Sequence, residues 1–264
     1  MVEKLSRKEL RAPDAFQKAG FEAREWFQAR QKMLLIGIAV VILAGTGAGL
    51  MNYLAGRSET RASKMLGGAL HSMNRPVKGT DATPGEIEEE DSAPFATQRA
   101  KDEEVSKQLS ELRQKYPRTR AALTSALPLA EAQYRLEDYD RALASFEDFL
   151  KGTPEGDVLR AEALEGEGYV FEAKGQLEQA LLTFGQMART SKTEFMPGMG
   201  LFHRARILML QNKKDEAAKA LVEVKNEHPT SAAARMAAER LAILSREGVK
   251  IPEAQAAKPA ADAG

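Results

Sequence analysis

The chain has 264 residues, and its 38 lysine and arginine residues balance its 38 aspartate and glutamate residues. A neutral chain lacks the basic face that nucleic-acid binding requires, so we predict no nucleic-acid partner. The absence of cysteine excludes disulfides, thiolate metal ligands and a cysteine nucleophile. Charged residues make up 29% of the chain and aromatic residues only 6%. With abundant Ala, Leu, Glu and Arg, this composition favours an all-α fold.

Residues 1–32 form a basic tail that contains eight lysine and arginine residues. Within this tail, the stretch 12–32 places apolar side chains at helical spacing with charges between them. That pattern is typical of an amphipathic helix at a membrane surface, with Trp26 near the depth of the headgroups. A plain juxtamembrane helix without a partner is the alternative. We expect the tail to be cytoplasmic, because lysine and arginine accumulate on the inner side of membranes.

Between Lys32 and Arg57 lie 24 residues without a charge, MLLIGIAVVILAGTGAGLMNYLAG. A helix of that length extends over about 36 Å, enough to cross a hydrocarbon core of about 30 Å. A cleaved signal peptide fits less well, because its apolar core is about 7–15 residues long and its leader is short. We therefore predict one transmembrane helix at 33–56, with the chain beyond it outside the cytoplasm.

Gly45 and Gly49 form a GxxxG pair inside this predicted span. The spacing lets two membrane helices pack closely, which would support a homodimer. Glycine is also common in membrane helices that have no such role. The sequence therefore leaves open whether this pair serves membrane helix packing.

Three segments flank the outer domain and differ from it in composition. Residues 57–74 keep apolar side chains at helical spacing, which predicts a helical stalk. Residues 75–94 combine three prolines, two glycines and a run of acidic side chains. They predict a flexible acidic linker, since calcium loops alternate their carboxylates and turn on a glycine. Residues 247–264 are rich in alanine and proline and predict a disordered tail.

The remaining segment, 95–246, contains an internal repeat of 37–38 residues. Each copy has a small residue in a first helix, a turn residue, and a small and then a large residue in a second helix. In the order of the copies, these are Ala130, Gly168 and Ala205; Glu137, Gly175 and Asn212; Ala142, Ala180 and Ala217; and Phe146, Phe184 and Leu221. Small residues let the paired helices approach, and the large residue fills the gap to the next pair. Because one hairpin leaves an apolar face bare, the copies must stack.

The stretch LPLAEAQYRLEDYDRALASFEDFLKGTP, residues 127–154, resembles a tetratricopeptide repeat (TPR), and the two later copies resemble weaker versions. The family period is 34 residues, and here extra residues enlarge the turns, most visibly at 191–200. Residues 108–117 mirror the second helix of a repeat, and residues 231–246 mirror a first helix. The resemblance implies an α–α superhelix of about three hairpins with capping helices at both ends.

The TPR resemblance also implies a partner-binding groove lined by the first helix of each hairpin. The groove positions carried over to this chain are Glu131, Tyr134, Arg135, Glu162, Glu165, Tyr169, Glu172, Phe202, Arg206 and Met209. Such a groove would be acidic in the middle, with aromatic and methionine positions for apolar contact. It would suit an extended or helical peptide.

No pattern in the sequence predicts catalysis or metal binding. His71, His203 and His228 lie far apart, and none has a metal-binding partner three or four residues away. P-loop, GxSxG, GxGxxG and HExxH motifs are absent. Paired acids such as Glu165 and Glu167 are interpreted as solvated helix faces. We therefore predict no enzyme, no cofactor and no metal.

The order of basic tail, single span, stalk and small TPR domain resembles the ancillary subunit family of the bacterial SecYEG translocon. That resemblance implies an inner-membrane protein whose TPR domain faces the periplasm and contacts the translocon, periplasmic chaperones or nascent exported proteins. The first hypothesis is therefore a membrane-anchored adaptor. The alternative is a structural scaffold of a cell-division or envelope-assembly complex that acts through self-association.

Overall fold

A computed structural model describes residues 15–79, 93–190 and 195–253. Over these ranges the chain is α-helical, and its one β feature is an isolated bridge between Val77 and Phe95. The helices are α1 (Ala15–Asn74), α2 (Gln98–Lys115), α3 (Arg120–Thr124), α4 (Ala126–Arg135), α5 (Tyr139–Gly152), α6 (Arg160–Ala173), α7 (Leu177–Thr190), α8 (Phe195–Leu210), α9 (Lys214–Glu227) and α10 (Ala232–Arg246). The predicted all-α class is confirmed.

The chain divides into two compact units, Met1–Arg57 and Ser58–Gly264, with the boundary inside α1. In the first unit, the apolar side chains of α1 are open to their surroundings, and Val41 and Met51 are 71% and 74% exposed. Among the described helices, one is long and apolar enough to cross a membrane, with a mean hydropathy of 2.3 in its most apolar window. That stretch is Arg30–Asn74, which contains the predicted span 33–56.

In the second unit, three helix pairs form the predicted hairpins: α4 with α5, α6 with α7, and α8 with α9. The residues that follow the first helices, Glu137, Gly175 and Asn212, all adopt the left-handed conformation, with φ of 64°, 72° and 60°. In each turn, the residue after the left-handed one donates its amide N–H to the carbonyl oxygen five residues before it, at 2.8–2.9 Å. This is the Schellman ending of a helix, which requires a left-handed residue. The predicted turn positions are therefore confirmed.

The hairpins stack through small residues that face large ones. Phe184 lies so close to Gly168 that a Cβ there would be 2.5 Å from the ring. At Gly200 the backbone of α8 approaches α7, and a Cβ would lie 2.6 Å from the amide nitrogen of Ala188. Phe146 and Leu221 are also buried. Helix α10 packs on α8 and α9 and caps the stack, as the sequence predicts.

The segment predicted as a stalk, 57–74, is helical, but one face of it is buried. Ala62 and Ala69 are fully buried, and Ala69 belongs to a cluster with side chains of α2 and α4. The carboxylate of Glu59 accepts hydrogen bonds from the amides of Arg120 and Ala121, at 2.8 and 3.0 Å. It thereby satisfies free amides at the start of α3. The last turns of α1 are therefore a packed layer of the repeat unit.

The two ends of the predicted acidic linker are held together. The amide of Lys78 donates to the carbonyl of Phe95, and the amide of Phe95 donates to the carbonyl of Pro76, both at 2.9 Å. The guanidinium of Arg75 lies 4.2 Å from the centre of the Phe95 ring. Most of the linker, residues 80–92, lies outside the described residues. So do the predicted tail beyond residue 253, the first 14 residues and residues 191–194.

Candidate functional site

A pocket of about 200 Å³ opens between α4 and α6, the first helices of two successive hairpins. Its lining residues are Glu131, Tyr134, Arg135, Phe146, Glu162, Glu165, Gly166 and Tyr169. Six of them belong to the predicted groove set. Phe146 and Gly166 do not: the repeat pattern assigns Phe146 to packing, and it gives Gly166 no role. Phe146 nonetheless reaches the pocket, since Gly166 has no side chain to block its ring.

Glu131 and Glu162 bring two carboxylates together across the pocket. Burial raises the pKa of Glu131, and the negative charge of Glu162 and a hydrogen bond with it raise that pKa further. Arg135 acts in the opposite direction. Burial and like charge both disfavour the ionised form of a carboxyl group. A cation placed here would stabilise both carboxylates.

Arg135 is engaged with a buried carboxylate outside the pocket. Its Nε donates to Asp102 of α2 at 2.9 Å, and Asp102 is only 2% exposed. The amide of Gln98 donates to the same carboxylate at 3.2 Å. The Nη1 of Arg135 also lies 3.8 Å from Glu131. Asp102 was not predicted from the sequence. The TPR pattern does not indicate that a side chain of α2, the helix before the first hairpin, pairs with Arg135.

Glu165 and Tyr169, both half-buried, form a cluster with the buried His203. The Nε2 of His203 lies 2.9 Å from Glu165 and 3.2 Å from the hydroxyl of Tyr169. His203 is 4% exposed and stacks near Phe184, with ring centres 4.8 Å apart. In the sequence, His203 has no metal-binding partner three or four residues away. Its partner lies 38 residues earlier, one repeat period, and that spacing was the available signal.

Glu172 and Arg206 bridge the next gap along the stack, between α6 and α8. The two terminal nitrogens of Arg206, Nη1 and Nη2, donate to the carboxylate of Glu172, and the Nη2 bond is 2.6 Å long. The same guanidinium lies 5.7 Å from the centre of the Tyr169 ring. Burial, followed by the negative charge of Glu165, raises the pKa of Tyr169 to about 12. Tyr169 is therefore a neutral hydrogen-bond donor.

Three further residues named in the sequence analysis take part in packing. Phe202 is 5% exposed and lies in the core cluster around α8, α9 and α10, and Met209 packs on that cluster. The interpretation of Glu167 as a solvated acid is wrong, because it is 9% exposed. The reason is the rotation of α6, which directs Glu165 to the pocket and Glu167 toward Glu147 of α5.

Gly45 and Gly49 lie on α1, and apart from their chain neighbours and the adjacent helix backbone no atom of the described structure would come within 4 Å of a Cβ at either position. Both residues are exposed. In the part of the chain that the structure describes, no group of three or more His, Cys, Asp or Glu side chains is arranged to hold a metal ion.

Stacked helical hairpins with a pocket between the first helices of two of them define a helical-repeat protein. Residues 24–181 match the family model of the tetratricopeptide repeat-like domain, and residues 200–231 match a tetratricopeptide repeat. The first match covers more than half of the chain, so the protein belongs to the tetratricopeptide repeat-like family. No curated protein matches the chain. TPR domains are modules of protein–protein interaction, and that is the class of function the fold assigns.

Proposed function

We propose that this protein is a membrane-anchored adaptor that receives a segment of a partner protein in the pocket between α4 and α6. The observation that supports it is the pocket itself, where acidic and tyrosine side chains converge on the helices that line a TPR groove. Anchoring raises the effective concentration of a partner at the membrane, so each contact can be weak.

Two aromatic–arginine pairs on α1 support the anchor. The guanidinium of Arg30 lies 5.0 Å from the centre of the Trp26 ring, and that of Arg57 lies 5.5 Å from the Tyr53 ring. Aromatic and basic side chains are typical of the headgroup zones at both ends of a span. The two rings are 27 residues apart, about 40 Å along a helix, which matches a bilayer with its headgroups.

The proposed location is a bacterial inner membrane, with the basic tail in the cytoplasm and the repeat unit in the periplasm. The charge of residues 1–32 supports this orientation, because basic residues resist translocation. The order of tail, span and TPR domain supports partners at the SecYEG translocon: translocon subunits, periplasmic chaperones or nascent exported proteins.

In-cell photo-crosslinking tests the adaptor function. The analogue p-benzoylphenylalanine is placed at Tyr134 in the pocket and, as a matched control, at the exposed Lys219 of α9. We expect translocon subunits, chaperones or exported clients to crosslink at position 134 and not at 219. A topology reporter fused after residue 246 must be active in the periplasm. Equal crosslinking at both positions, or a cytoplasmic reporter, contradicts the proposal.

A scaffold that acts through self-association is the second candidate. The observation that favours it is the open space beside Gly45 and Gly49, which leaves α1 free to pack against a second helix there. Replacing both glycines with isoleucine should abolish crosslinked dimers in membranes if this candidate holds. Unchanged dimer yield, or no dimer in the unmodified protein, contradicts it.

A further inference from the structure

We infer that the pocket between α4 and α6 binds an arginine side chain of the partner protein. The inference rests on the proposed function, because it names the chemistry that an adaptor groove at this place would receive. Four features carry it: the size of the pocket, its charge, its aromatic side chains and a guanidinium arrangement that the chain makes with its own residues in the neighbouring gap.

The size of the pocket suits one long side chain. Sites for drug-sized molecules enclose about 300–1,000 Å³, and this pocket encloses about 200 Å³. The ring of Phe146 occupies the space that a side chain at position 166 would fill. That ring is itself only 1% exposed, so the methylene groups of an arginine would pack on the rings of Tyr134 and Tyr169 while its head remains with polar partners.

The negative charge of the pocket favours a cation as its occupant. Three glutamates line it, Glu131, Glu162 and Glu165, against a single arginine. That arginine, Arg135, already donates its Nε to the buried Asp102. The carboxylate of Glu162 lies close enough to Glu131 to disfavour the ionisation of Glu131 and so raises its pKa. A partner cation removes this repulsion, because an opposite charge stabilises the ionised form of both carboxyl groups.

The aromatic side chains favour arginine over lysine. Tyr134 and Tyr169 both line the pocket. A guanidinium is planar, so it stacks on aromatic rings and pairs with a carboxylate through two parallel hydrogen bonds. The ammonium of lysine is a compact charge that cannot stack or form this parallel pair. The chain uses this chemistry in the gap between α6 and α8, where Arg206 pairs with Glu172 and lies near the Tyr169 ring. The gap between α4 and α6 also presents glutamate and tyrosine side chains, which an arginine of the partner protein would bind in the same way.

The test uses the full chain in lipid nanodiscs and a phage library of random 12-residue peptides. Selected peptides are synthesised with a fluorescent label, and their affinities are measured by anisotropy. We expect an arginine in the binding peptides, and replacing it with citrulline, its neutral analogue, should weaken binding by at least tenfold. A photo-crosslinker beside that arginine should attach to α4 or α6.

The matched protein variants are Glu131→Gln with Glu162→Gln, and the control Glu223→Gln with Glu239→Gln on exposed positions of α9 and α10. The pocket variant should lose at least tenfold in affinity, and the control should bind like the unmodified chain. The pocket variant removes a repulsion, so its melting temperature should not fall.

Two results would overturn the inference in distinguishable ways. Peptides that crosslink to α4 or α6 but contain no arginine, or that tolerate citrulline and the pocket variant, contradict arginine binding and leave the adaptor function standing. A selection that yields no peptide crosslinking to α4 or α6 contradicts both the inference and the proposed function.

Discussion

The ring of Phe146 on α5 occupies the space beside Gly166 on α6: a Cβ at position 166 would lie 2.2 Å from the Cζ of Phe146. This contact joins one hairpin to the next beside the pocket. Glycine is required here because any larger residue would displace a ring that is 1% exposed.

Gly166→Ala should therefore lower the free energy of unfolding by about 1–3 kcal/mol, because an overpacked core forces side chains out of their preferred rotamers. The measurement is thermal or denaturant unfolding of the full chain, followed by circular dichroism. Gly67→Ala is the control, since this helical glycine has nothing within 4 Å of its Cβ position. It should be neutral or stabilise by up to about 1 kcal/mol. Equal effects of the two changes would contradict the packing assigned to Gly166.

The ion pair of the buried Asp102 with the half-exposed Arg135 predicts a second effect. Arg135→Met leaves the carboxylate of Asp102 buried with only Gln98 as a side-chain donor. Removing one partner of a buried ion pair costs about 3–5 kcal/mol, and we expect the lower end because Arg135 is 40% exposed. Adding Asp102→Leu should recover most of the loss, since no charge then remains buried.

Arg141→Met provides the comparison for that measurement. Arg141 pairs with Asp138 at 3.2 Å, but its side chain is 76% exposed. Such surface pairs contribute about 0–1 kcal/mol. A loss in Arg135→Met no larger than in Arg141→Met would show that Asp102 is not held by Arg135.

Glu167 predicts a pH dependence of stability. Burial, followed by the negative charge of Glu147, raises the pKa of Glu167 from 4.5 to about 7, while Lys151 lowers it. The folded chain therefore binds this proton more tightly than the unfolded chain does. Its stabilising effect is complete below about pH 4.5 and is lost as the pH rises through 7.

Glu167→Gln should remove this pH dependence, because the neutral amide does not titrate. Between pH 5 and 8 the melting temperature of the variant should fall less than that of the unmodified chain. At pH 8 the variant should be more stable by on the order of 2 kcal/mol. Glu111→Gln, an exposed change on α2, should retain the original slope. An unchanged slope in Glu167→Gln would contradict the assignment.

Glu59 predicts a link between the last turns of α1 and α3. Its carboxylate accepts the amides of Arg120 and Ala121, as a capping residue does at a helix start. Glu59→Ala should cost about 1 kcal/mol, and hydrogen exchange at those two amides should accelerate. Glu103→Ala, which removes an exposed pair with Arg99, should leave that exchange unchanged. Slow exchange in Glu59→Ala would contradict the link.

The sequence by itself determined the features that depend on local order. The period of 37–38 residues placed the turns at Glu137, Gly175 and Asn212, because a Schellman ending depends only on a few consecutive residues. It also placed the small residues that let helices approach. The candidate span was equally predictable, because whether a helix is long and apolar enough to cross a membrane depends only on its length and composition.

Only the tertiary structure decided which side chains meet. The partners Asp102 with Arg135 and Glu165 with His203 lie 33 and 38 residues apart, on different helices. Successive side chains of an α-helix point about 100° apart around its axis. A small rotation of one helix therefore moves a side chain such as Phe202 from the predicted groove to the core. The rotation is set by packing between hairpins, through contacts such as Phe146 on Gly166, and this is why the contents of the pocket required the assembled stack.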